Sequence, residues 1–328
     1  MKKRKILITG ISGSGGSFLA DYLIDNVENI EIYGLSRWHS TSNNKNISKI
    51  INKIKIIESD MNDFASVYNA IKISKPDVVF HLAAHANVRA SFDTPSVVFS
   101  NNTISTINLL ESIRLNNIDP IIQICSTSEV YGLVKKNEIP IDENCPYRPA
   151  SPYAVSKLAS DMLGYSYFKN YKMKIIRTRM FTYVNPRRTD LFATSFAMQI
   201  AKIENNLQKE LNHGNLNSIR TILDIKDAMR AYWLSIDKCK YGEAYNIGGN
   251  YVISVKDFLK KLKSFSKVKI VSKVDNRLLR PTDVTLQIPN VNKFKKATKW
   301  EPKAKIDDTI LDLLNYWRER ISPKNRNI

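Results

Sequence analysis

A tyrosine and a lysine four residues apart, Tyr153 and Lys157, are well suited to acid–base chemistry. Their spacing predicts that both side chains project from one face of a helix. A phenol has an ordinary pKa of ~10, and a nearby ammonium group favours its ionised form. We therefore expect Lys157 to lower the pKa of Tyr153, so that the phenolate can take a proton from a sugar hydroxyl near neutral pH. Hydride would leave the same carbon, which requires a nicotinamide acceptor.

Thr127 and Glu129 follow an apolar segment, residues 121–124, that is typical of a buried strand. A hydroxyl and a carboxylate at a strand end can hydrogen-bond a substrate and exchange protons with it. Two structural interpretations stay open. Thr127 can be a hydroxyl that bonds only to the chain, and Glu129 can cap a helix that begins near Val130.

Residues 10–16 form a glycine-rich turn between a predicted strand, residues 5–9, and a segment with helical periodicity, residues 18–27. Glycines let such a turn tighten and let a pyrophosphate approach backbone N–H groups at a helix N-terminus. A generic tight turn is the alternative, but the position between a first strand and a helix favours a dinucleotide site. The cofactor-binding residues predicted in this turn are Gly10, Gly13, Ser14, Gly15 and Gly16.

Ser36 and Arg37 follow the second predicted strand, residues 31–35. An NAD site usually has an acidic residue here, ~20 residues after the glycines. A hydroxyl and a guanidinium instead suit a 2′-phosphate, which favours NADP over NAD; a solvated Arg37 is the alternative. Asp60 and Met61, after a third strand at residues 54–58, are expected to meet the adenine.

The elements that must position these residues alternate between strands and helices. Further strands are predicted at residues 77–84, 121–126 and 175–178, and helices at 102–113, 192–205, 227–237 and 310–318. Such alternation predicts an α/β fold with a doubly wound parallel sheet of the Rossmann type. Ligands of these sheets lie beyond the carboxyl ends of the strands, where the glycines, Arg37, Ala83, Ala84, Thr127 and Glu129 all fall.

Beyond residue 180 the pattern becomes mixed, which predicts a smaller α/β C-terminal substrate domain. We expect residues 1–180 to form the dinucleotide-binding domain, with residues 223–250 returning to it. Residues 181–222 and 251–328 would then form the substrate domain, and residues 205–217 a surface connection.

The net charge of +19 and the isoelectric point of about 9.7 raise nucleic-acid binding as an alternative. The lysines are scattered, however, without a basic run interleaved with aromatic residues, so we expect no nucleic-acid partner. Part of the charge would serve an anionic ligand such as a nucleotide diphosphate.

The three cysteines have no paired spacing, which suits a reducing compartment, and we expect all three to be small buried residues. The four histidines form no metal-ligand pattern, so no metal is expected, and His81 is expected to be packed. The short apolar segment after the basic start predicts no signal peptide, and no apolar run approaches ~20 residues. We expect a cytoplasmic protein with no membrane association.

The sequence resembles the extended short-chain dehydrogenase/reductases that act on nucleotide sugars, over nearly the whole chain. Three motifs support the superfamily: glycines 10, 13 and 16, Tyr153-x-x-x-Lys157, and residues 245–249. Residues 81–84, 91–93, 126–132, 185–188, 214–216 and 280–284 are similar to the GDP-mannose 4,6-dehydratases in particular.

The resemblance implies that Thr127, Glu129, Tyr153 and Lys157 are catalytic. It also implies cofactor contacts from Asp60, Met61, Leu82, Ala83, Ala84, Tyr153 and Lys157, and substrate contacts from Ser128, Thr182, Tyr183, Arg188, Arg220 and Arg280. The three arginines would face the nucleotide diphosphate. A loop at residues 37–44 would reach a neighbouring subunit, so a homodimer or homotetramer is expected.

The sequence departs from this family in several places. Thr182 and Tyr183 stand where the family usually has Asn-His, Trp38 stands where a second arginine is usual, and Ser105 stands where glycine is frequent. These changes lie at positions where the sugar and the cofactor would be recognised. A GDP-linked heptose is therefore considered beside GDP-mannose.

The expected reaction is the conversion of a GDP-hexose or GDP-heptose to its 4-keto-6-deoxy derivative. It combines oxidation at C4, loss of water across C5 and C6 with Glu129 as base and then acid, and return of hydride to C6. The nearest alternative is an NAD(P)-dependent 4-epimerase, 4-dehydrogenase or 4-ketoreductase, which needs no base at C5. A non-catalytic NADP(H)-binding or nucleic-acid-binding protein is a more remote alternative.

Overall fold

A computed structural model describes residues 3–38 and 44–322 of the chain. Its strands, in chain order β1 to β13, are Arg4–Thr9, Ile30–Ser36, Lys55–Glu58, Val78–His81, Ile121–Thr127, Ile175–Met180, Tyr183–Val184, Leu211–His213, Ile219–Asp224, Ala244–Ile247, Tyr251–Ser254, Ser272–Val274 and Leu286–Gln287. Its helices, α1 to α10, are Ser14–Asn26, Phe64–Ser74, Val88–Asp93, Pro95–Leu115, Pro152–Tyr171, Phe192–Glu204, Ile225–Lys238, Val255–Ser264, Asn292–Thr298 and Ile306–Ile321.

The large sheet has seven strands in the order β10-β6-β5-β4-β1-β2-β3, and every pairing in it is parallel. The chain starts in the middle of the sheet, builds outward through β2 and β3, and returns to the other side of β1 with β4. Ligand sites form at such a reversal of strand order, beyond the carboxyl ends of the strands. The expected α/β Rossmann fold is therefore confirmed.

Helices cover both faces of this sheet because alternate residues of β1 point in opposite directions. Ile6 and Ile8 pack in one apolar core with Leu19 of α1 and Tyr232 of α7. Leu7 packs in another core on the opposite face, with residues of α2 and α4. A strand buried on both faces needs the continuous apolar run that β1 shows.

The remaining strands form two smaller sheets. In one of them β9 pairs with β11, β13 and β7, and in the other β8 pairs with β12. A separate apolar core joins β9 to α6, α8 and α10. This is the mixed α/β C-terminal part that the sequence indicated. β10 joins the large sheet beside β6, while the domain boundaries as a whole stay a prediction.

Three predicted elements differ from the observed ones. β4 ends at His81, so Ala83 and Ala84 lie past the strand. α4 begins at Pro95 instead of residue 102, since proline is well tolerated in the first turn of a helix. Residues 205–217 are more than a surface connection, because Leu211 of β8 is fully buried. The strand that pairs with β8 is β12, about 60 residues later in the chain. No local sequence pattern therefore predicts β8.

No helix in the part of the chain that the structure describes is long and apolar enough to cross a membrane.

Candidate active site

A cavity of about 320 Å³ lies where the carboxyl ends of the large sheet meet the smaller sheets. Most of the residues predicted to bind cofactor or substrate line this cavity. From the predicted cofactor set these are Gly10, Gly13, Ser14, Gly15, Gly16, Leu82, Ala83, Ala84, Tyr153 and Lys157, and from the other sets Thr127, Ser128, Glu129, Thr182, Tyr183, Arg188, Arg220 and Arg280.

The glycine turn fits the pyrophosphate of a dinucleotide. Gly10 has φ of +66°, and a Cβ there would lie 2.9 Å from Cα of Ala83, so the turn packs against the segment after β4. A Cβ on Gly16 would overlap the carbonyl oxygen of Gly10. α1 begins directly after Gly13 with no side-chain cap and no acidic residue in its first turn. Its N-terminal N–H groups are thus available to an anion.

His81 supports this wall of the cavity without taking part in proton transfer. Its Nδ1 bonds to Oγ1 of Thr9 (2.9 Å) and its Nε2 to Oγ1 of Thr106 (3.1 Å). The same Thr9 oxygen accepts from the backbone N–H of Ala83 at 3.0 Å. Burial, together with the charge of Lys157, lowers the pKa of His81 to about 3. The prediction that His81 is packed is confirmed.

Thr127 ends β5 and begins a short 3₁₀ turn, Ser128–Val130. Its hydroxyl oxygen accepts from the backbone N–H of Glu129 at 3.3 Å, and the hydroxyl is among the groups that favour the ionised form of Tyr153 and so lower its pKa. Thr127, and not Glu129, is therefore the cap of this turn. The Glu129 carboxylate does not cap the turn, and its Oε1 accepts from Nε2 of Gln287 at 3.3 Å.

α5 presents Tyr153 and Lys157 to the cavity. Ser151 caps the helix by accepting from the N–H of Ala154 at 3.1 Å, and a proline follows at the first helical position. Tyr153 and Lys157 are both buried, with 7% and 4% of their surface exposed. The expected placement of both side chains on one helix face, toward one cavity, is observed.

The pKa of Tyr153 is raised, whereas the spacing predicted that it would be lowered. Burial raises the pKa of Tyr153, and the influences that oppose it are the guanidinium of Arg188 and the hydrogen bond from Thr127. Burial also lowers the pKa of Lys157. Desolvation of both groups outweighs the attraction that the spacing suggested. The cation that favours the phenolate in this chain is therefore Arg188.

Three guanidinium groups line the cavity. Arg188 donates to Asp190 (3.0 and 3.1 Å) and to the carbonyl of Ala86 (2.5 Å). Arg220 donates to the carbonyls of Ile219 and Val284, and burial lowers its pKa. Arg280 lies 3.8 Å from a carboxylate oxygen of Asp283. Such a group of cations suits a diphosphate.

Three of the predicted cofactor residues lie outside the lining of this cavity. Arg37 is exposed just past the end of β2, where the Ser36 hydroxyl lies 3.1 Å from that of Ser12. Asp60 and Met61 follow β3, and Met61 is 7% exposed and belongs to the core under the sheet. Residues 39–43 of the predicted intersubunit loop lie outside the described residues. The roles of these residues stay predictions.

Two features of the cavity were missed from the sequence. Gln287 lines it from β13, and only the pairing of β13 with β9 brings this residue beside the turn that holds Glu129. Cys125 also lines it, with Sγ 2.9 Å from the hydroxyl of Tyr232. The expectation that all three cysteines are buried apolar residues holds for Cys145 and Cys239 but is wrong for Cys125. Cys125 stands in a strand whose end faces the cavity.

Comparison with known proteins gives one family. A family model described as GDP-mannose 4,6 dehydratase matches residues 7–313. A GDP-mannose 4,6-dehydratase of Yersinia enterocolitica is 27% identical over 95% of this chain and 93% of its own length. GDP-mannose 4,6 dehydratase 1 of Arabidopsis thaliana is 30% identical over 94% of this chain and 89% of its own length.

Solved structures show the same fold. RMD from Pseudomonas aeruginosa, complexed with NADPH, has a TM-score of 0.82 at 24% identity and covers 96% of this chain and 99% of its own. A UDP-glucose 4-epimerase of Thermotoga maritima with UDP-glucose has a TM-score of 0.85 at 24% identity, covering 97% and 99%. A dTDP-glucose 4,6-dehydratase of Bacillus anthracis with NAD scores 0.82 at 24% identity, covering 96% and 97%.

Proposed function

The chain belongs to the GDP-mannose 4,6-dehydratase family, and we propose that it converts a GDP-hexose or GDP-heptose to the 4-keto-6-deoxy sugar with NADP as cofactor. Reaction type and substrate class follow from the family, since its model spans residues 7–313. The nucleotide base, the sugar, the choice of NADP and the roles of individual residues are the parts that the proposal adds.

One observation carries the proposal. Among the described residues that line the cavity, Glu129 is the only carboxylate, and it shares the cavity with Thr127, Tyr153 and Lys157. A hydroxyl, a phenol and an ammonium group are enough for oxidation and reduction at C4. Elimination across C5 and C6 needs a further base, and the presence of Glu129 in the same cavity supports that role for it.

A nicotinamide cofactor fits the glycine turn, because α1 offers uncapped N–H groups and Ala83 packs against Gly10. When bound, the nicotinamide would supply a positive charge and a hydride acceptor for C4 in its oxidised form, and a hydride donor for C6 in its reduced form. Lys157 would hold the ribose beside it. Arg37 and Ser36 support NADP over NAD, since a guanidinium and a hydroxyl recognise a 2′-phosphate.

The residues of this chain handle the protons. Tyr153 takes the proton from O4, and the neighbouring Thr127 hydroxyl holds O4. The ketone that results acidifies the C5 proton, so Glu129 removes it and then protonates the departing C6 hydroxyl, which leaves as water. When C6 is reduced, C5 takes a proton from solvent through Glu129, and Tyr153 releases the O4 proton to solvent. The product is a 4-keto-6-deoxy sugar with no net oxidation.

The substrate is held by its charge and by its sugar hydroxyls. Arg188, Arg220 and Arg280 are proposed to face the diphosphate, which accounts for part of the net charge of +19 without a nucleic-acid partner. Ser128, Thr182 and Tyr183 are proposed to contact the sugar. The three unpaired thiols support a cytoplasmic location, where thiols stay reduced.

The test is incubation of the purified protein with NADP and GDP-mannose or GDP-mannoheptose, followed by mass spectrometry of the nucleotide sugar. The proposal predicts a product lighter by one water and no accumulation of reduced cofactor. A product of unchanged mass would assign a 4-epimerase, and stoichiometric NADPH would assign a 4-dehydrogenase; either outcome contradicts the proposal.

A further inference from the structure

The side chain of Gln287 is a polar group of the cavity that the proposed mechanism leaves unused. It ends β13, is 3% exposed, and lines the cavity opposite the turn that carries Glu129. Its Nε2 donates to Oε1 of Glu129 at 3.3 Å, and its own Oε1 accepts from the Ser128 hydroxyl at 2.9 Å. The amide thus bridges two neighbouring residues of one turn.

The partners of the amide fix its orientation. The Ser128 hydroxyl can donate or accept, but an ionised Glu129 can only accept. If the amide were reversed, its carbonyl oxygen would face the carboxylate, and two acceptors would meet in a buried place. The Gln287 N–H must therefore point to Glu129, and the Ser128 hydroxyl holds the opposite end of the amide in that position.

We infer that Gln287 is a positioning residue for Glu129, whose carboxylate it orients toward the substrate through one directional hydrogen bond. This inference rests on the proposed role of Glu129. The Gln287 amide belongs to the sheet formed by β7, β9, β11 and β13, whereas the Glu129 carboxylate follows β5 of the large sheet. The direction of the carboxylate therefore depends on how these two sheets pack together. Gln287 pairs with Arg220 in the register of β13 and β9, which gives the smaller sheet two donors on this side of the cavity.

The ionisable groups around Glu129 are few. Tyr153 approaches from α5 and Arg220 from β9, since both groups are influenced by the charge of Glu129. Arg280 in turn acts on Arg220. Arg220 interacts with the Glu129 carboxylate through its charge, whereas Gln287 donates a directional hydrogen bond to one oxygen. Removal of the Gln287 amide should therefore leave the carboxylate without the contact that fixes its direction, with both neighbouring charges unchanged.

The experiment compares wild type with Gln287→Met, which keeps the length of the side chain but has no amide. The control is Gln199→Met, which removes another buried glutamine, on α6, that bonds Ser195 and Asn212 away from the cavity. We expect kcat and solvent deuterium uptake at C5 to fall by about 3- to 10-fold in Gln287→Met, because the carboxylate loses the donor that orients it. KM for NADP should not change in Gln287→Met, and neither C5 exchange nor KM for NADP should change in Gln199→Met.

Folding of each variant is checked by thermal melting and cofactor binding. If Gln287→Met does not fold, Ser128→Ala takes its place, because it frees the amide at its other end and should slow C5 exchange by less. Undiminished C5 exchange in a folded variant overturns the inference alone, provided that wild type dehydrates its substrate. If wild type does not dehydrate any GDP-sugar, the proposed function and this inference fail together.

Discussion

At the scale of single residues, the carboxylate of Glu129 is the group that an elimination mechanism needs and that simple oxidation at C4 does not. Thr127, Tyr153 and Lys157 surround one part of the cavity, and Glu129 reaches the same space from the next turn of the chain. Replacement of a general base by a neutral isostere should leave binding intact and remove one step. Loss of Glu129 should therefore affect the chemistry at C5, whereas changes around Tyr153 should affect oxidation at C4.

Glu129→Gln should bind NADP as wild type does but lose C5 chemistry. We expect solvent deuterium uptake at C5 and formation of the dehydrated product to fall by about 10²- to 10⁴-fold, measured by NMR and mass spectrometry in D2O. Gln199→Met serves as the control for a buried side chain outside the cavity. C5 exchange at the wild-type rate in Glu129→Gln would remove Glu129 from the mechanism.

Arg188→Met should shift the pH dependence of C4 oxidation upward. Burial raises the pKa of Tyr153 and Arg188 opposes that rise, so loss of the guanidinium raises the pKa further. Because the phenolate is the base, kcat falls as pH drops through that pKa, and in the variant this fall should begin at higher pH. The control Arg280→Met removes a cavity cation that is not among those acting on Tyr153. Arg280→Met should raise KM for the GDP-sugar without changing the pH at which kcat falls. An unchanged pH dependence of kcat in Arg188→Met would contradict the role given to Arg188.

At the scale of elements, α5 is held against β6 by buried ion pairs. Asp161 of α5 lies 2.8 Å from Arg177 and 3.0 Å from Arg179 of β6, and its side chain is fully buried. Although burial disfavours the charged carboxylate, the two guanidinium groups hold the pKa of Asp161 below its ordinary value. On the opposite side, Asn102 of α4 donates to the Ser156 hydroxyl at 2.9 Å. Both contacts fix the helix that carries Tyr153 and Lys157.

Asp161→Asn should destabilise the fold by ~3–5 kcal/mol, because it leaves two buried guanidinium groups without their carboxylate. Urea denaturation followed by circular dichroism measures this. The lowered pKa means that the stabilisation from Asp161 is present above the unfolded-state pKa of ~3.9 and is lost as pH falls through the folded-state value. Asp119→Asn, which breaks the exposed pair with Lys174, should cost less than about 1 kcal/mol. Equal effects of the two substitutions would refute the role given to Asp161.

Sequence patterns predict elements where periodicity is strong and miss contacts between distant segments. The strands of the large sheet and the glycine turn were found because apolar runs and glycines are local signals. The role of Gln287 and the burial of Leu211 depend on pairings of β13 with β9 and of β12 with β8, which join segments far apart in the chain. The predicted lowering of the pKa of Tyr153 was wrong for a related reason, because spacing on a helix carries no information about desolvation.

At the scale of the whole molecule, α4 and α5 carry exposed apolar side chains, which we propose lie in an interface between subunits. Val155, which lies between Tyr153 and Lys157 in the sequence, is 43% exposed, and Val97 and Ile104 of the adjoining α4 are 60% and 39% exposed. An assembly that covers these helices would bring the interface close to the active site. The homodimer or homotetramer expected from the sequence is proposed to use this surface.

Val155→Lys should lower the mass of the protein in solution, because it places a charge where apolar contact is expected. Light scattering after size-exclusion chromatography measures the mass, with Val252→Lys as the control, since Val252 of β11 is 49% exposed on the smaller sheet. An oligomer of unchanged mass in Val155→Lys, or a monomeric wild type, would count against this interface.

The central claim is that one cavity oxidises C4, eliminates water across C5 and C6, and reduces C6 of the same sugar. The fate of the hydrogen on C4 tests it most directly, with GDP-mannose that carries deuterium at C4 and analysis of the product by NMR. The account predicts that the deuterium appears at C6 of a dehydrated product. Deuterium found again at C4 of an isomer, or retained on reduced cofactor, would contradict it.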